Sequence, residues 1–351
     1  MSVEPVTAPS SFSAAAAAAP LVAAEELTRY FHLGHEHTVR AVDGVSLAIA
    51  AGTTFGLVGE SGSGKSTLAR LLLRLDEPTS GRVVFDGRDL AALSTGELAR
   101  IRREMQVVFQ DPYAALNRRK TVEQILSLPL EVHEPHSGRA ARRARIEELL
   151  QLVGLRPQHA RAYPRQLSGG QCQRVSIARA IALNPKFVVL DEAVSAVDVS
   201  IRAQILNLLR DLQKQLGLTY LFVTHDLSVV RYMADTVAVM YLGRIVEVGS
   251  GGSLFDRPQH PYTHALLDSI PSPQRRRRER AAVAVADPVA LDESAVSGCR
   301  FHPRCPLGGR EVCRTDDPPL RLSPAGHPVA CHFPQSAESL LAAAAAEAPP
   351  S

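Results

Sequence analysis

Eight consecutive residues constrain this chain more tightly than any others. Gly59-Glu60-Ser61-Gly62-Ser63-Gly64-Lys65-Ser66 fits the pattern G-x-x-x-x-G-K-[ST]. That pattern has meaning only between a strand and a helix, and the flanks supply both. Thr53 to Val58 reads as an apolar β-strand, and Thr67 to Leu75 carries apolar residues at helical spacing. Gly62 and Gly64 permit turns that aim successive N–H groups inward, and the helix N-terminus adds partial positive charge. Lys65 is then expected to reach the β- and γ-phosphates of a nucleotide, with the Ser66 hydroxyl on Mg²⁺. The bland alternative is a glycine-rich turn that holds nothing.

The surrounding pattern sets the loop in an α/β fold. Val42 to Ala50 reads as a strand, as do Val83 to Phe85 and Met105 to Phe109. Pro112 to Arg165 is helical in character. Strand signals return at Phe187–Leu190, Tyr220–Val223 and Thr236–Met240, separated by helical stretches, which implies a mostly parallel sheet covered on both faces. After about Asp256 the composition shifts toward Pro, Arg, His and Cys, and a separate small domain is expected there. The Ala-, Ser- and Pro-rich ends, 1–20 and 336–351, are expected to be disordered.

Composition removes several function classes. The chain has 351 residues with 39 Lys plus Arg against 36 Asp plus Glu, a formal charge of +3, which argues against a coat for nucleic acid. No apolar run approaches the roughly 18 residues that a membrane-spanning helix needs. The N-terminus carries Glu4 and a run of alanine instead of the basic start and greasy core of an export signal. A soluble intracellular protein is expected.

Two further motifs complete the chemistry. Phe187-Val188-Val189-Leu190-Asp191-Glu192 is an apolar strand ending in two carboxylates. Asp191 is placed to hold Mg²⁺ and Glu192 to act as general base toward a water, unless the pair merely caps the next helix. Leu167-Ser168-Gly169-Gly170-Gln171 precedes a second helical stretch and offers backbone N–H groups and a hydroxyl to an anion. It too could be an ordinary helix cap. A single nucleotide has no use for two γ-phosphate cradles on one chain, so the second is expected to serve a nucleotide held by another subunit.

With these motifs in this order, the chain resembles the ATP-binding cassette (ABC) ATPases over residues 25 to 250. Gln110, in Val-Val-Phe-Gln-Asp-Pro, resembles the Q-loop. Leu167–Gln171 resembles the signature, Ser195-Ala196-Val197-Asp198 the D-loop, and Thr224-His225-Asp226 the segment with the switch histidine. The resemblance implies a P-loop (RecA-like) core with an antiparallel β subdomain within residues 21–255 and an inserted α-helical subdomain at 112–165. It also implies two cassettes joined head to tail. Each ATP then lies between the phosphate loop of one chain, Gly59 to Ser66 with Thr67, and Ser168, Gly169, Gly170 and Gln171 of the other. By the same resemblance Gln110 senses Mg²⁺ and the attacking water, and His225 contacts the γ-phosphate. Phe31 stands where an aromatic ring stacks on adenine, with Tyr30 next in line, although a Tyr-Phe pair here could equally pack against the first strand. Because Glu192 is present, hydrolysis is expected at the site that uses this chain's own phosphate loop.

A narrower resemblance is to dipeptide and oligopeptide importer ATPases. It rests on Asp111–Asn117, Val194–Gln204, Met240–Glu247 and His260-Pro261-Tyr262-Thr263, the last within an extension spanning 256–335. It implies a peripheral subunit on the cytoplasmic face of the membrane. Its partners would be an identical or homologous ATPase, two permease subunits and an extracytoplasmic solute-binding protein, with no nucleic acid. Nickel or glutathione is the alternative cargo. Residues 111–167 are too few for the long coiled coils of chromosome-type relatives, and there is one cassette where translation-factor relatives fuse two, so a soluble non-transport role ranks last. Arg118, Ala193 and Cys172 depart from the group's usual residues without touching the reacting groups. The basic stretch Arg139 to Arg145 could be a solvated helix face or could meet lipid phosphates or permease acids.

Cys299, Cys305, Cys313 and Cys331 are spaced C-x5-C-x7-C-x17-C. Four thiolates suit a metal, but no tight pair of the kind usual for zinc is present. The resemblance implies a 4Fe–4S cluster; zinc, or thiols packed without metal, remain the alternatives. His302, His327 and His332 could replace one thiol. The arginine run Arg275 to Arg280 reads as an exposed linker or, alternatively, a contact for anionic headgroups.

Overall fold

A computed structural model describes residues 19–33, 37–134, 136, 138–195, 197–269 and 297–334. The ends expected to be disordered, apart from residues 19 and 20, and the arginine run 275–280 lie outside the described residues.

Two sheets organise the chain. The first is antiparallel and four-stranded, in the order β2-β1-β4-β5, with β1 Val22–Leu33, β2 His37–Ile49, β4 Ser80–Phe85 and β5 Arg88–Asp89. The second has eight strands in the order β11-β12-β10-β9-β3-β8-β7-β6. These are β3 Thr54–Val58, β6 Met105–Val108, β7 Phe187–Asp191, β8 Thr219–Thr224, β9 Thr236–Tyr241, β10 Arg244–Ser250, β11 Arg321–Leu322 and β12 Pro328–Val329. Strands β6, β7, β8, β3 and β9 pair in parallel, while β10, β12 and β11 are added antiparallel. Every residue of β3 and β8 is buried, as expected of parallel strands with helices on both faces.

The helices form where caps and apolar spacing agree. They are α1 Lys65–Leu72, α2 Thr95–Ile101, α3 Pro112–Ala115, α4 Val122–His133, α5 Arg139–Leu152, α6 Gly169–Ala180, α7 Val199–Leu216, α8 Leu227–Met233, α9 Gly251–Asp256, α10 Pro261–Asp268 and α11 Glu311–Thr315. Ser94 with Glu97, Thr121 with Gln124 and Ser168 with Gln171 are reciprocal capping boxes that start α2, α4 and α6. Helices α3 to α5 fill the interval between β6 and α6, and Ile125, Leu126, Leu149 and Leu150 join them to Val175 on α6 in one core. The basic stretch on α5 is not uniformly solvated. Arg145 folds inward, donating to the Asn184 side chain at 2.6 Å and to the Ile181 carbonyl at 3.1 Å.

Two features differ from the sequence reading. The long first strand β1 carries charged and polar residues at irregular positions and has three register shifts against β2, so its periodicity is blurred. The segment after Asp256 also does not stand apart. Its β12 pairs with β10, and Tyr262 and Phe301 share a core with Val58, Tyr241 and Val246. The Pro- and Cys-rich composition marks a change of local style, but the apolar residues within it complete a core begun by the cassette.

Candidate functional site

Strand β3 delivers the glycine-rich loop at its carboxyl end, and the loop opens α1. Gly64 caps that helix with φ +99°, and a Cβ there would lie 2.0 Å from the Ala41 carbonyl oxygen, so no larger residue fits. Gly62 has φ +82° and open space around it, so there the backbone conformation alone favours glycine. Lys65 is 6% exposed. Its Nζ donates to the carbonyls of Gly59 at 2.8 Å and Glu60 at 2.6 Å, and to the Ser63 hydroxyl at 3.2 Å. Burial lowers the Lys65 pKa below the ordinary lysine value, with Glu192, Asp191 and Glu60 opposing.

Strand β7 ends on Asp191, and the Ser66 hydroxyl donates to its Oδ1 at 3.2 Å. Burial raises the Asp191 pKa, and that hydrogen bond opposes the shift. Lysine and aspartate are thus both penalised in their charged forms, and a phosphate and a divalent cation would relieve the two together. The adjoining hydroxyl and carboxylate oxygens are hard donors of the kind Mg²⁺ takes.

Glu192 follows with φ +49°, uncommon for a residue with a side chain, and its N–H donates to the Val223 carbonyl at 2.9 Å. Its carbonyl accepts from the Ser195 N–H at 3.0 Å and the Ser195 hydroxyl at 2.8 Å. The carboxylate stands 3.1 Å from His225 Nδ1. Gln110, Glu192, Ser195, Arg202, His225 and Asp226 line one cavity of about 310 Å³. Residues far apart in the chain therefore meet where a water could be held between a carboxylate, an imidazole and an amide. Arg202 was not singled out from the sequence. It lies on α7 and donates to Asp226 at 2.8 Å, a pairing that no local spacing reveals.

The glycine pair at the start of α6 follows the Ser168 cap, with Ser168 exposed and Gly170 buried. The Ser168 hydroxyl accepts from the Gln171 N–H at 3.3 Å, and the Gln171 side chain accepts from the Ser168 N–H at 2.9 Å. Accepting that bond leaves the hydroxyl proton to donate elsewhere, so capping does not exclude anion binding. Gly170 is held against α7: a Cβ there would lie 2.5 Å from Ile201 Cγ2. Cys172 is fully buried on the same helix, its Sγ 3.4 Å from the Pro164 carbonyl oxygen.

On β1 the two aromatic candidates separate. The Tyr30 hydroxyl donates to Asp43 at 2.5 Å, and Asp43 is also paired with Arg244 and Arg300. Phe31 is 36% exposed, with the Arg29 guanidinium 4.7 Å over its ring, so Phe31 is the ring presented outward.

Glu60 has partners that the sequence did not suggest. Its carboxylate accepts from both terminal nitrogens of Arg304, at 2.8 and 3.0 Å, and its N–H donates to the Tyr262 hydroxyl at 2.8 Å. Both partners come from the C-terminal extension.

Cys299, Cys305, Cys313 and Cys331 line one small cavity of about 10 Å³ with His260, His302 and His332. Burial pushes the Cys299 thiol up to about 11 and the Cys331 thiol up to about 12. Among the described residues no three or more Cys, His, Asp or Glu side chains are arranged to hold a metal ion. The metal centre expected at these positions is therefore not a preformed cage. The donors share a cavity, but burial favours Cys299, Cys313 and Cys331 as neutral thiols over the thiolates a metal takes. His327 lies elsewhere, 2.7 Å from Glu247.

Comparison with known proteins agrees with this geometry. A family model described as ABC transporter matches residues 42–195, and one described as oligopeptide/dipeptide transporter, C-terminal region, matches 246–313. The chain is 46% identical over 299 residues to an oligopeptide transport ATP-binding protein of Bacillus subtilis, covering 84% of this chain and 90% of that one. It is 49% identical over 318 residues to a "Probable peptide ABC transporter ATP-binding protein" of Sinorhizobium fredii, covering 89% of each. Among solved structures it is similar to the dimeric post-hydrolysis state of the ATP-binding cassette MJ0796 bound to ADP and Pi. There the TM-score is 0.60 at 34% identity, over 65% of this chain and 98% of that one. The structure of cbiO1 from Clostridium perfringens, part of the ABC transporter complex cbiONQ, gives a TM-score of 0.61 at 28% identity, over 68% of this chain and 92% of that one. No helix among the described residues is long and apolar enough to cross a membrane. The chain belongs to the ABC transporter family of ATP hydrolases, as an ATP-binding subunit of its oligopeptide and dipeptide branch.

Proposed function

We propose that this chain drives import of di- and oligopeptides by closing, on ATP, against a second ATPase subunit beneath two permease subunits. An extracytoplasmic binding protein delivers the peptide, and the chain works peripherally on the cytoplasmic face of the membrane. The observation that carries the reading is the joining of Ser66 to Asp191 at 3.2 Å beside one cavity lined by Gln110, Glu192 and His225. Phe31 stacks on adenine. The loop Gly59 to Ser66, with Thr67, wraps the phosphates and Lys65 turns toward them. Ser66, Asp191 and Gln110 would hold Mg²⁺, which screens phosphate charge.

Glu192 takes the proton of the attacking water, and His225, 3.1 Å away, fixes the carboxylate and meets the γ-phosphate side. Ser168 presents its hydroxyl, and Gly169 and Gly170 their N–H groups, to the nucleotide of the opposing subunit, while Gln171 holds Ser168 in the cap. A ligand that binds the closed pair better than the open one shifts the population toward closure, and hydrolysis removes that preference. At the four cysteines a metal is part of the same proposal, as a 4Fe–4S cluster or alternatively zinc, and their common cavity supports it.

Glu192→Gln tests the hydrolytic assignment, since it removes the base and leaves the cradle. The variant should keep ATP binding, accumulate as ATP-bound dimer and lose about a hundred-fold or more in turnover. Turnover within ten-fold of wild type would refute it. Reconstitution with the permeases and binding protein should show ATPase stimulated by peptides; stimulation by nickel or glutathione alone would reassign the cargo.

A further inference from the structure

The second residue of the phosphate loop is a glutamate, which is an awkward charge beside a triphosphate. In this fold it is not left facing the cradle. Arg304 holds its carboxylate in a two-point fork at 2.8 and 3.0 Å, and only 9% of the Arg304 side chain is exposed. The guanidinium lies 5.7 Å from the Tyr241 ring and 5.9 Å from the Phe301 ring, so it is held in place by aromatic faces as well as by charge. Tyr262 fixes the same residue through its backbone. It is 0% exposed, its ring lies tilted against Tyr241 at 4.7 Å and Phe301 at 5.5 Å, and its hydroxyl accepts the Glu60 N–H at 2.8 Å. On the opposite side the Glu60 carbonyl accepts from Lys65 Nζ at 2.6 Å. One residue, Glu60, is thus gripped at its N–H, its carbonyl and its side chain.

We propose that Arg304 and Tyr262, supplied by the C-terminal extension, are positioning residues of the phosphate loop. Arg304 neutralises Glu60 so that it neither repels the incoming phosphates nor captures Lys65. Tyr262 sets the orientation of the peptide that follows Gly59. The extension is then a working part of the nucleotide site. The inference rests on ATP binding at this loop.

The charge argument separates this role from simple structural support. Arg304→Ala should weaken MgATP binding by about ten-fold, or about 1.4 kcal/mol, and raise KM far more than it lowers kcat. Adding Glu60→Gln to that variant should restore affinity to within about two-fold of wild type, because the uncompensated carboxylate is gone. A merely structural role predicts no such rescue. Arg304→Lys keeps the charge without the fork and should fall between. Tyr262→Phe should weaken binding by a few fold, and Glu60→Gln should not correct it.

The assay is calorimetric binding of MgATP to the full chain with its partner subunit, with a thermal melt of each variant. Unchanged affinity in Arg304→Ala, or a double variant no better than Arg304→Ala, would overturn the proposal. If Arg304→Ala does not fold, Arg304→Lys with and without Glu60→Gln decides the same point. A wild-type chain that binds no MgATP would overturn the ATP reading itself; a binding wild type with unshifted variants overturns this inference alone.

Discussion

Among the contacts that join the extension to the cassette is one buried carboxylate, and removing it gives a measurable result. Glu247 on β10 is 0% exposed. It accepts the N–H groups of Gln259 at 2.8 Å and His260 at 3.0 Å, and His327 Nε2 lies 2.7 Å from it, just before β12. Burial would raise its pKa, but His327, the Thr263 hydroxyl and the two backbone donors outweigh that and hold it below the usual glutamate value. Glu247→Ala leaves these donors facing a space they cannot fill. Each orphaned buried donor costs about 1–3 kcal/mol, and loss of one partner from a buried ionic cluster costs about 3–5 in total. A central figure of about 4 kcal/mol, at about 2 °C per kcal/mol for a chain of this size, lowers the melting temperature by about 8 °C. Scanning calorimetry reads the shift, and limited proteolysis should show earlier cleavage after Asp256. Because the folded pKa is depressed, this anchor contributes fully above the unfolded glutamate value of 4.5 and is lost as pH falls through the lower folded value. A Glu247→Ala protein melting within about 2 °C of wild type at neutral pH would refute the reasoning.

Three other outcomes are expected. Burial holds His260 down to about 4 from 6.5, so the unfolded chain takes up its proton first and stability falls between pH 6.5 and about 4, by about 3 kcal/mol. His260→Asn keeps a side-chain acceptor for the Tyr262 N–H and should flatten that slope; a slope unchanged in the variant would exclude His260 as its source. Gly170→Ala forces a Cβ to within 2.5 Å of Ile201 and should cut ATPase activity at least ten-fold while leaving nucleotide binding to the chain's own loop within about two-fold, as read by turnover and equilibrium binding. Anaerobically purified protein should contain about four iron and four sulfide per chain, lost in Cys331→Ser; a colourless preparation with about one zinc would identify the alternative metal, and one with neither would remove metal from this site.

How far the sequence could be read depended on whether a feature was local. The phosphate loop is legible because its chemistry is written in eight adjacent residues, and Gly64 must be glycine for a reason that any strand–loop–helix shares. The buried parallel strands were equally plain, since β3, β7 and β8 are short apolar runs. By contrast β1 hides behind bulges, and the pairing of Arg202 with Asp226 exists only because the fold brings α7 to the residue that caps α8.

The extension shows the limit most clearly. Its composition announced a separate unit, and composition has no way to report that Arg304 would cross 244 positions of sequence to Glu60. An acidic residue beside a phosphate cradle is a local contradiction, however, and a contradiction within a motif implies a compensating charge from somewhere. Read that way, Glu60 carried in the sequence a demand for a distant arginine, though not its number. The fold sets the Arg304 guanidinium, from the C-terminal segment, on that carboxylate.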